Sequence, residues 1–230
     1  MTLIANDVTI LESRGQGRPT LIVAERGFYE QDARHLFERL DVNSRVVLAL
    51  TSPVNDDNWG ELGAKLLKEC ESHGLKQVTA IGFGGAASLV QHLALVEQRR
   101  IRRLVLIDGS TRPHPSWHTR VSDWLEKFSP LGLPLRLRSN GFDSKSLLHR
   151  IRCPVLVVIS VRCDAFRTGQ SLILADCLPT AWLLRLSAER DALVNAVNDF
   201  HDIAAKCPQK AGVNTGLLSE APVYLPPFPR

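Results

Sequence analysis

Residues 78–95 read Val-Thr-Ala-Ile-Gly-Phe-Gly-Gly-Ala-Ala-Ser-Leu-Val-Gln-His-Leu-Ala-Leu. An apolar run ends in a turn holding Gly82, Gly84 and Gly85, and the turn opens directly into a buried-looking helix that runs to Val96. A strand, a glycine turn and a helix in immediate succession is a unit of α/β architecture, with the turn at the strand end where such folds collect their ligand sites. The residue at the tip of the turn is Gly84, which has no side chain to react.

Outward from this stretch, strands and helices alternate. Val8–Leu11 and Leu21–Ala24 read as strands separated by the turn Gly15-Gln16-Gly17-Arg18-Pro19. A helix is predicted near Asp32–Leu40, a strand at Arg45–Leu50, and a helix through Trp59, Leu62, Leu66, Leu67 and Cys70, which recur at helical spacing. After the glycine turn come a strand at Leu104–Ile107, a strand at Pro154–Ile159, a helix near Gln170–Cys177, a strand at Ala181–Leu186 and a last helix with Leu193, Val197, Phe200 and Ala204 on one face. Such alternation predicts a mostly parallel sheet covered by helices on both faces. Residues 109–150 break the rhythm, with Trp117, Val121, Trp124, Leu125 and Phe128 at helical spacing. They are expected to form a short cap insertion over the sheet's carboxyl edge, or an ordinary amphipathic helix packed on the body. Residues 207–230 hold five prolines and no helical period, and read as a tail beyond a single domain of residues 1–206.

At 230 residues, with 44% hydrophobic and 23% charged residues, the chain fits one globular α/β domain. A net charge of +4 is too weak to argue for nucleic acid. The densest basic cluster, Arg99, Arg100, Arg102 and Arg103, has two readings: cations at a helix C-terminus, which complement its dipole, or a patch for an anion or partner. The first is preferred. The start of the chain, Met-Thr-Leu-Ile-Ala-Asn-Asp, lacks the basic and apolar parts of a signal peptide, and no segment approaches the roughly 18 apolar residues of a membrane helix. The five cysteines, Cys70, Cys153, Cys163, Cys177 and Cys207, contain no C-x-x-C pair. Reduced thiols, a cytoplasmic location and no metal site are expected.

The order of these elements resembles the α/β-hydrolase family over roughly residues 7–205. Leu11-Glu-Ser-Arg-Gly-Gln-Gly-Arg-Pro-Thr-Leu-Ile-Val looks like that family's opening hairpin and following strand. Arg26-Gly27-Phe28 stands where the family usually has a His-Gly loop beside the oxyanion hole, and Gly82-Phe83-Gly84-Gly85-Ala86 stands at the nucleophile elbow, G-x-S-x-G. Arg103-Leu-Val-Leu-Ile-Asp-Gly and Ile151-Arg-Cys-Pro-Val-Leu-Val-Val-Ile-Ser look like the next two strands. The resemblance implies an α/β-hydrolase-like fold with a short cap, and a degenerate catalytic triad.

Acyl transfer on this scaffold needs a nucleophile, a base and an acid that orients the base. Gly84 replaces the serine, and glycine adopts the strained backbone of the elbow cheaply. The family spacing puts the acid at Cys163, with Asp164 one residue on. The loop that should hold the histidine is Ser187-Ala188-Glu189-Arg190-Asp191, while His201 falls late in the last helix. Ser88 is expected to be packed. Ser52, Ser110 and Cys163 follow strand ends, and His114 and His118 belong to the cap region; each also has a plain reading as a loop or surface residue.

Three functions follow. The first is a non-catalytic relative that binds a small molecule or protein partner, without nucleic acid, membrane or cofactor, through Arg26, Gly27, Gly84 and the helix-terminal N–H of Gly85. The second is an ester or thioester hydrolase with Ser110 or Cys163 as a displaced nucleophile. The third is an NAD(P)-dependent enzyme, since Gly82-x-Gly84-x-x-Ala87 fits the dinucleotide fingerprint and Asp108 ends the next strand.

Overall fold

The chain begins with a hairpin-like pair of strands, β1 (Val8–Arg14) and β2 (Arg18–Glu25), that do not pair with each other. A third strand, β3 (Ser44–Thr51), separates them, antiparallel to β1 and parallel to β2. The remaining strands, β4 (Val78–Phe83), β5 (Ile101–Ile107), β6 (Val155–Ile159) and β7 (Ala181–Arg185), add in parallel on the other side of β2. The result is one seven-stranded sheet of order β1-β3-β2-β4-β5-β6-β7. This computed structural model describes residues 8–40, 44–54, 58–111, 143–163, 165–186 and 190–206. Most of the region expected to form a cap, and the tail 207–230, lie outside the described residues.

Helices cover both faces, as the continuous apolar strands require. On one face lie α1 (Glu30–Arg39), which buries Ala33, Leu36 and Phe37, and α5 (Arg190–Lys206), whose Leu193, Val194, Val197 and Phe200 join the same core. On the other face lie α2 (Trp59–Ser72), α3 (Ala86–Val96) and α4 (Ala165–Cys177). The spacing of Leu62, Leu66 and Cys70 gives α2 a single buried stripe. Helix α3 is different: Ala86 through Gln91, Leu93 and Ala94 are all buried, so it is wedged between the sheet and α2 rather than laid on the surface. Gly82 makes the fit possible. A Cβ there would lie 2.5 Å from Val90 Cγ2 and 2.7 Å from Ala87 Cα, inside van der Waals contact.

Three sequence expectations change. The arginine cluster is not the end of a helix: α3 has no basic residue in its last turn, and Arg99 and Arg100 sit in the connection while Arg102 and Arg103 belong to β5. Strand β5 begins at Ile101 because Ile101 pairs with Val78, which carries two arginines into the amino end of an interior strand despite their polarity. Helix α4 begins at Ala165, five residues earlier than its apolar period indicated, because Arg167 and Gly169 do not stop it.

The chain turns from β3 to β4 across β2, so its crossovers leave in opposite directions on either side of that strand. Such a switch point opens a crevice at the carboxyl ends of the flanking strands, here β2 and β4. Glu25 ends the first and Phe83 the second.

Candidate functional site

The glycine turn follows β4 directly. Gly84 has φ +56°, the left-handed conformation of a strained strand-to-helix tip, and Gly85 caps the amino end of α3. Gly84 N–H donates to the Ile107 carbonyl at 2.8 Å, so the β4–β5 ladder holds the turn in place.

The space above Gly84 is filled. Tyr29, only 3% exposed, lies with its ring edge where a Cβ would project: such an atom would clash with Tyr29 Cε2, lie 2.8 Å from Cδ2 and 3.3 Å from Arg167 Nη1. Arg167, from the first turn of α4, donates to the Tyr29 hydroxyl at 2.7 Å with its guanidinium 5.5 Å from the ring centroid. The Tyr29 hydroxyl donates in turn to Asp108 Oδ2 at 3.2 Å. Burial, and then the nearby Asp108 carboxylate, push the phenol far above its usual range, so Tyr29 is a neutral hydrogen-bond bridge.

Asp108, fully buried at the end of β5, is the described non-glycine residue with positive φ (+50°). Its carboxylate accepts the Ser160 N–H at 2.7 Å and the Ser160 hydroxyl at 2.5 Å, which fastens β5 to the end of β6. Aspartate tolerates the left-handed region better than most residues.

Glu25 closes the other side. Its Oε1 accepts the Val54 N–H at 2.8 Å, and the carboxylate lies so close to Gly85 that any Cβ on that residue would strike it. Burial raises the Glu25 pKa; hydrogen bonds from the Val54 and Gly85 backbones and the charge of Arg167 pull the other way. The N–H of the residue after the elbow tip is the donor that would face a developing oxyanion. In this chain it faces an internal carboxylate.

The other residues singled out from sequence fall around this centre. Arg26 donates to Thr9 Oγ1 at 2.9 Å, on the β1 side, and Gly27 takes φ +103° in the turn leading to α1. Cys163 is half-buried, donates its N–H to the Ser160 carbonyl at 3.1 Å and is near enough to act electrostatically on Tyr29. Ser110 is buried, and its carbonyl accepts Gln91 Nε2 at 3.0 Å. Ser52 and Ser88 are buried with no hydrogen-bond partner for their hydroxyls among the described residues. Asp164, His114, His118 (which stand four residues apart) and residues 187–189 lie outside the described residues. The remaining histidines are placed elsewhere: His35 with Asp191 at 2.9 Å, His73 beside Glu69, His92 against Trp59, His149 exposed in the short helical turn Leu148–Arg150, and His201 well along α5, about 16 Å from the helix start at 1.5 Å per residue. No group of three His, Cys, Asp or Glu side chains forms a metal site among the described residues. No helix among them is long and apolar enough to cross a membrane. The dinucleotide reading meets Asp108 with both carboxylate oxygens engaged and no exposed surface. Sequence reasoning missed Glu25, Tyr29 and Arg167. None belongs to a motif, and only the turn of β2 into α1 and the early start of α4 bring them over Gly84.

Thr111 and Ser144, on either side of residues 112–142, are hydrogen-bonded to each other. Ser144 N–H donates to the Thr111 carbonyl at 2.9 Å, and the Ser144 hydroxyl donates to Gln91 Oε1 at 2.8 Å, within the buried face of α3.

No protein-family model matches the chain, and no curated protein matches its sequence. Solved structures do match. An α/β hydrolase from Sphaerobacter thermophilus aligns at TM-score 0.59 with 18% identity, covering 84% of this chain and 96% of that one. MenH from S. aureus aligns at 0.60 with 12% identity, covering 88% and 100%. The enol-lactonase from Burkholderia xenovorans LB400 aligns at 0.60 with 15% identity, covering 86% and 98%. With its seven-stranded, mostly parallel sheet, its glycine elbow at the end of β4 and these neighbours, the chain has the fold of the α/β-hydrolase superfamily.

Proposed function

We propose that this protein no longer performs Ser-His-Asp hydrolysis and acts by binding a small molecule or a protein partner. The observation that carries this reading is the occupancy of the elbow. Gly84 offers no nucleophile, Tyr29 fills the place a nucleophile's side chain would need, and the Glu25 carboxylate faces the Gly85 N–H. An oxyanion forming beside Gly85 would meet the Glu25 carboxyl, already accepting from that N–H, instead of an open donor, so the electrostatic term that dominates acyl-transfer catalysis is lost.

The purified protein, at high concentration, is expected to hydrolyse short-chain p-nitrophenyl esters and thioesters no faster than a protein blank. Saturable turnover abolished by Cys163→Ala or Ser110→Ala would overturn the proposal and identify a relocated nucleophile. A rise in melting temperature with NAD(H) or NADP(H) would favour the dinucleotide reading instead.

A further inference from the structure

The opposite end of the sheet, where the parallel strands begin, carries a second cleft of about 770 Å³. Three separate chain segments bring cations to it: Arg18 from the start of β2, Lys76 from the connection between α2 and β4, and Arg99, Arg100, Arg102 and Arg103 around the start of β5. Among the described residues, no aspartate or glutamate lines it. Arg100 is neutralised, by Glu71 at 2.9 Å and Glu97 at 3.3 Å. Arg18, Lys76, Arg99, Arg102 and Arg103 form no ion pair among the described residues.

Their crowding shows in one of them. Arg103 loses proton affinity through partial burial and then through the charges of Arg18 and Arg102. Folding therefore assembles like charges that an extended chain would keep apart. The sequence has 24 acidic residues, enough to neutralise the cleft if stability were the only demand.

The chemistry of the lining limits the ligand. Guanidinium groups match phosphate oxygens in paired hydrogen bonds, and a strongly hydrated ammonium such as Lys76 adds a point charge. Five cations are balanced by a multivalent anion and only weakly by a single carboxylate or phosphate. The volume lies within the roughly 300–1,000 Å³ of small-ligand sites. No aromatic side chain among the described residues lines the cleft, so it lacks the stacking platform on which single-stranded nucleic acid is held.

We propose that this cleft binds a compact anion bearing two or more phosphate groups, held by Arg18, Lys76, Arg99, Arg102 and Arg103. The site lies at the far end of the strands from Gly84 and is independent of what happens at the elbow.

The test is calorimetric titration of the full chain with inorganic tripolyphosphate. One-to-one binding is expected, weakening linearly in log affinity with log salt, and at least tenfold tighter than for orthophosphate. The triple variant Arg18→Gln/Arg99→Gln/Arg102→Gln is expected to bind at least tenfold more weakly. These three side chains are exposed, and their removal relieves repulsion, so the unliganded variant should melt no lower than wild type. Arg34→Gln, whose native ion pairs are with Glu12 and Glu30, should bind like wild type. No heat at millimolar tripolyphosphate, equal affinity for orthophosphate, or unchanged binding by the triple variant would each overturn the proposal. So would an RNA oligonucleotide that bound more tightly than tripolyphosphate through the same three arginines.

Discussion

A single methyl group at residue 84 would meet two penalties of different origin. The left-handed backbone, at φ +56°, disfavours any Cβ by about 1–2 kcal/mol. Contact with the Tyr29 ring adds an overpacking cost of about 1–3 kcal/mol. Gly84→Ala is therefore expected to destabilise the protein by about 2–5 kcal/mol in urea unfolding, and by only the backbone share in a Tyr29→Ala background. Equal costs in the two backgrounds would show that Tyr29 does not press on the turn. Gly84→Ser should be inert as an esterase, because the described histidines stand away from the elbow and none of them can take the proton of a hydroxyl there. Glu25 gives a second signature. Its folded pKa is raised, so the folded state holds the proton more tightly than the unfolded chain does. That contribution to stability is complete below the ordinary carboxyl pKa and is lost as pH rises through the raised value. Glu25→Gln cannot titrate, so it should gain stability relative to wild type as pH rises above the ordinary carboxyl range. A difference that stays flat with pH would place the carboxylate in solvent.

Among the elements, two glycines, one where α3 packs on β4 and one on α2, show how differently one residue type is used. Gly82 lies where β4 meets α3, and a Cβ would press on the Ala87 backbone as well as on Val90. Backbone cannot rotate aside, so Gly82→Ala should cost about 1–3 kcal/mol or more. Gly60, in the first turn of α2, points into open space: a methyl group added there would meet nothing within 4 Å. Gly60→Ala should stabilise by about 0.5–1 kcal/mol through helix propensity alone. Urea midpoints moving in opposite directions would support this assignment; a destabilising Gly60→Ala would refute it. At this scale the sequence was readable wherever periodicity decided the structure. The continuous apolar run of β4, the stripe of α2 and the end of α3 at Val96 all follow from it. It misled where pairing decided instead. Arg102 and Arg103 are strand residues because Ile101 pairs with Val78 and Arg103 with Thr79, a partnership that no local pattern encodes.

For the whole molecule, the sheet is continuous from β1 to β7, and its two faces are each sealed by helices. Two thiols, Cys70 buried and Cys153 half-buried, report on that seal from separate places. Burial pushes Cys70, on α2, up to about 11 and Cys153, ahead of β6, up to about 12. Both are therefore held as neutral thiols at pH 8, so labelling is slow in the native state and speeds up as the structure opens. If one cooperative unit opens, labelling of the two should respond in parallel to added urea. Different urea dependences would divide the molecule into sub-global units around α2 and around β6.

The sequence by itself determined the α/β alternation, the glycine turn after β4 and the absence of a nucleophile at its tip, because these depend on residue type and on spacing along a single element. Which side chains fill the vacated place was settled by the tertiary structure alone. Glu25 with Tyr29, Asp108 and Arg167 come from three separate parts of the chain, and they meet because strand order places the end of β2 beside β4 and the start of α4 above both. The basic cleft has the same cause at the other end: Arg18, Lys76 and Arg103 are far apart in sequence, and the parallel register of β2, β4 and β5 sets them side by side.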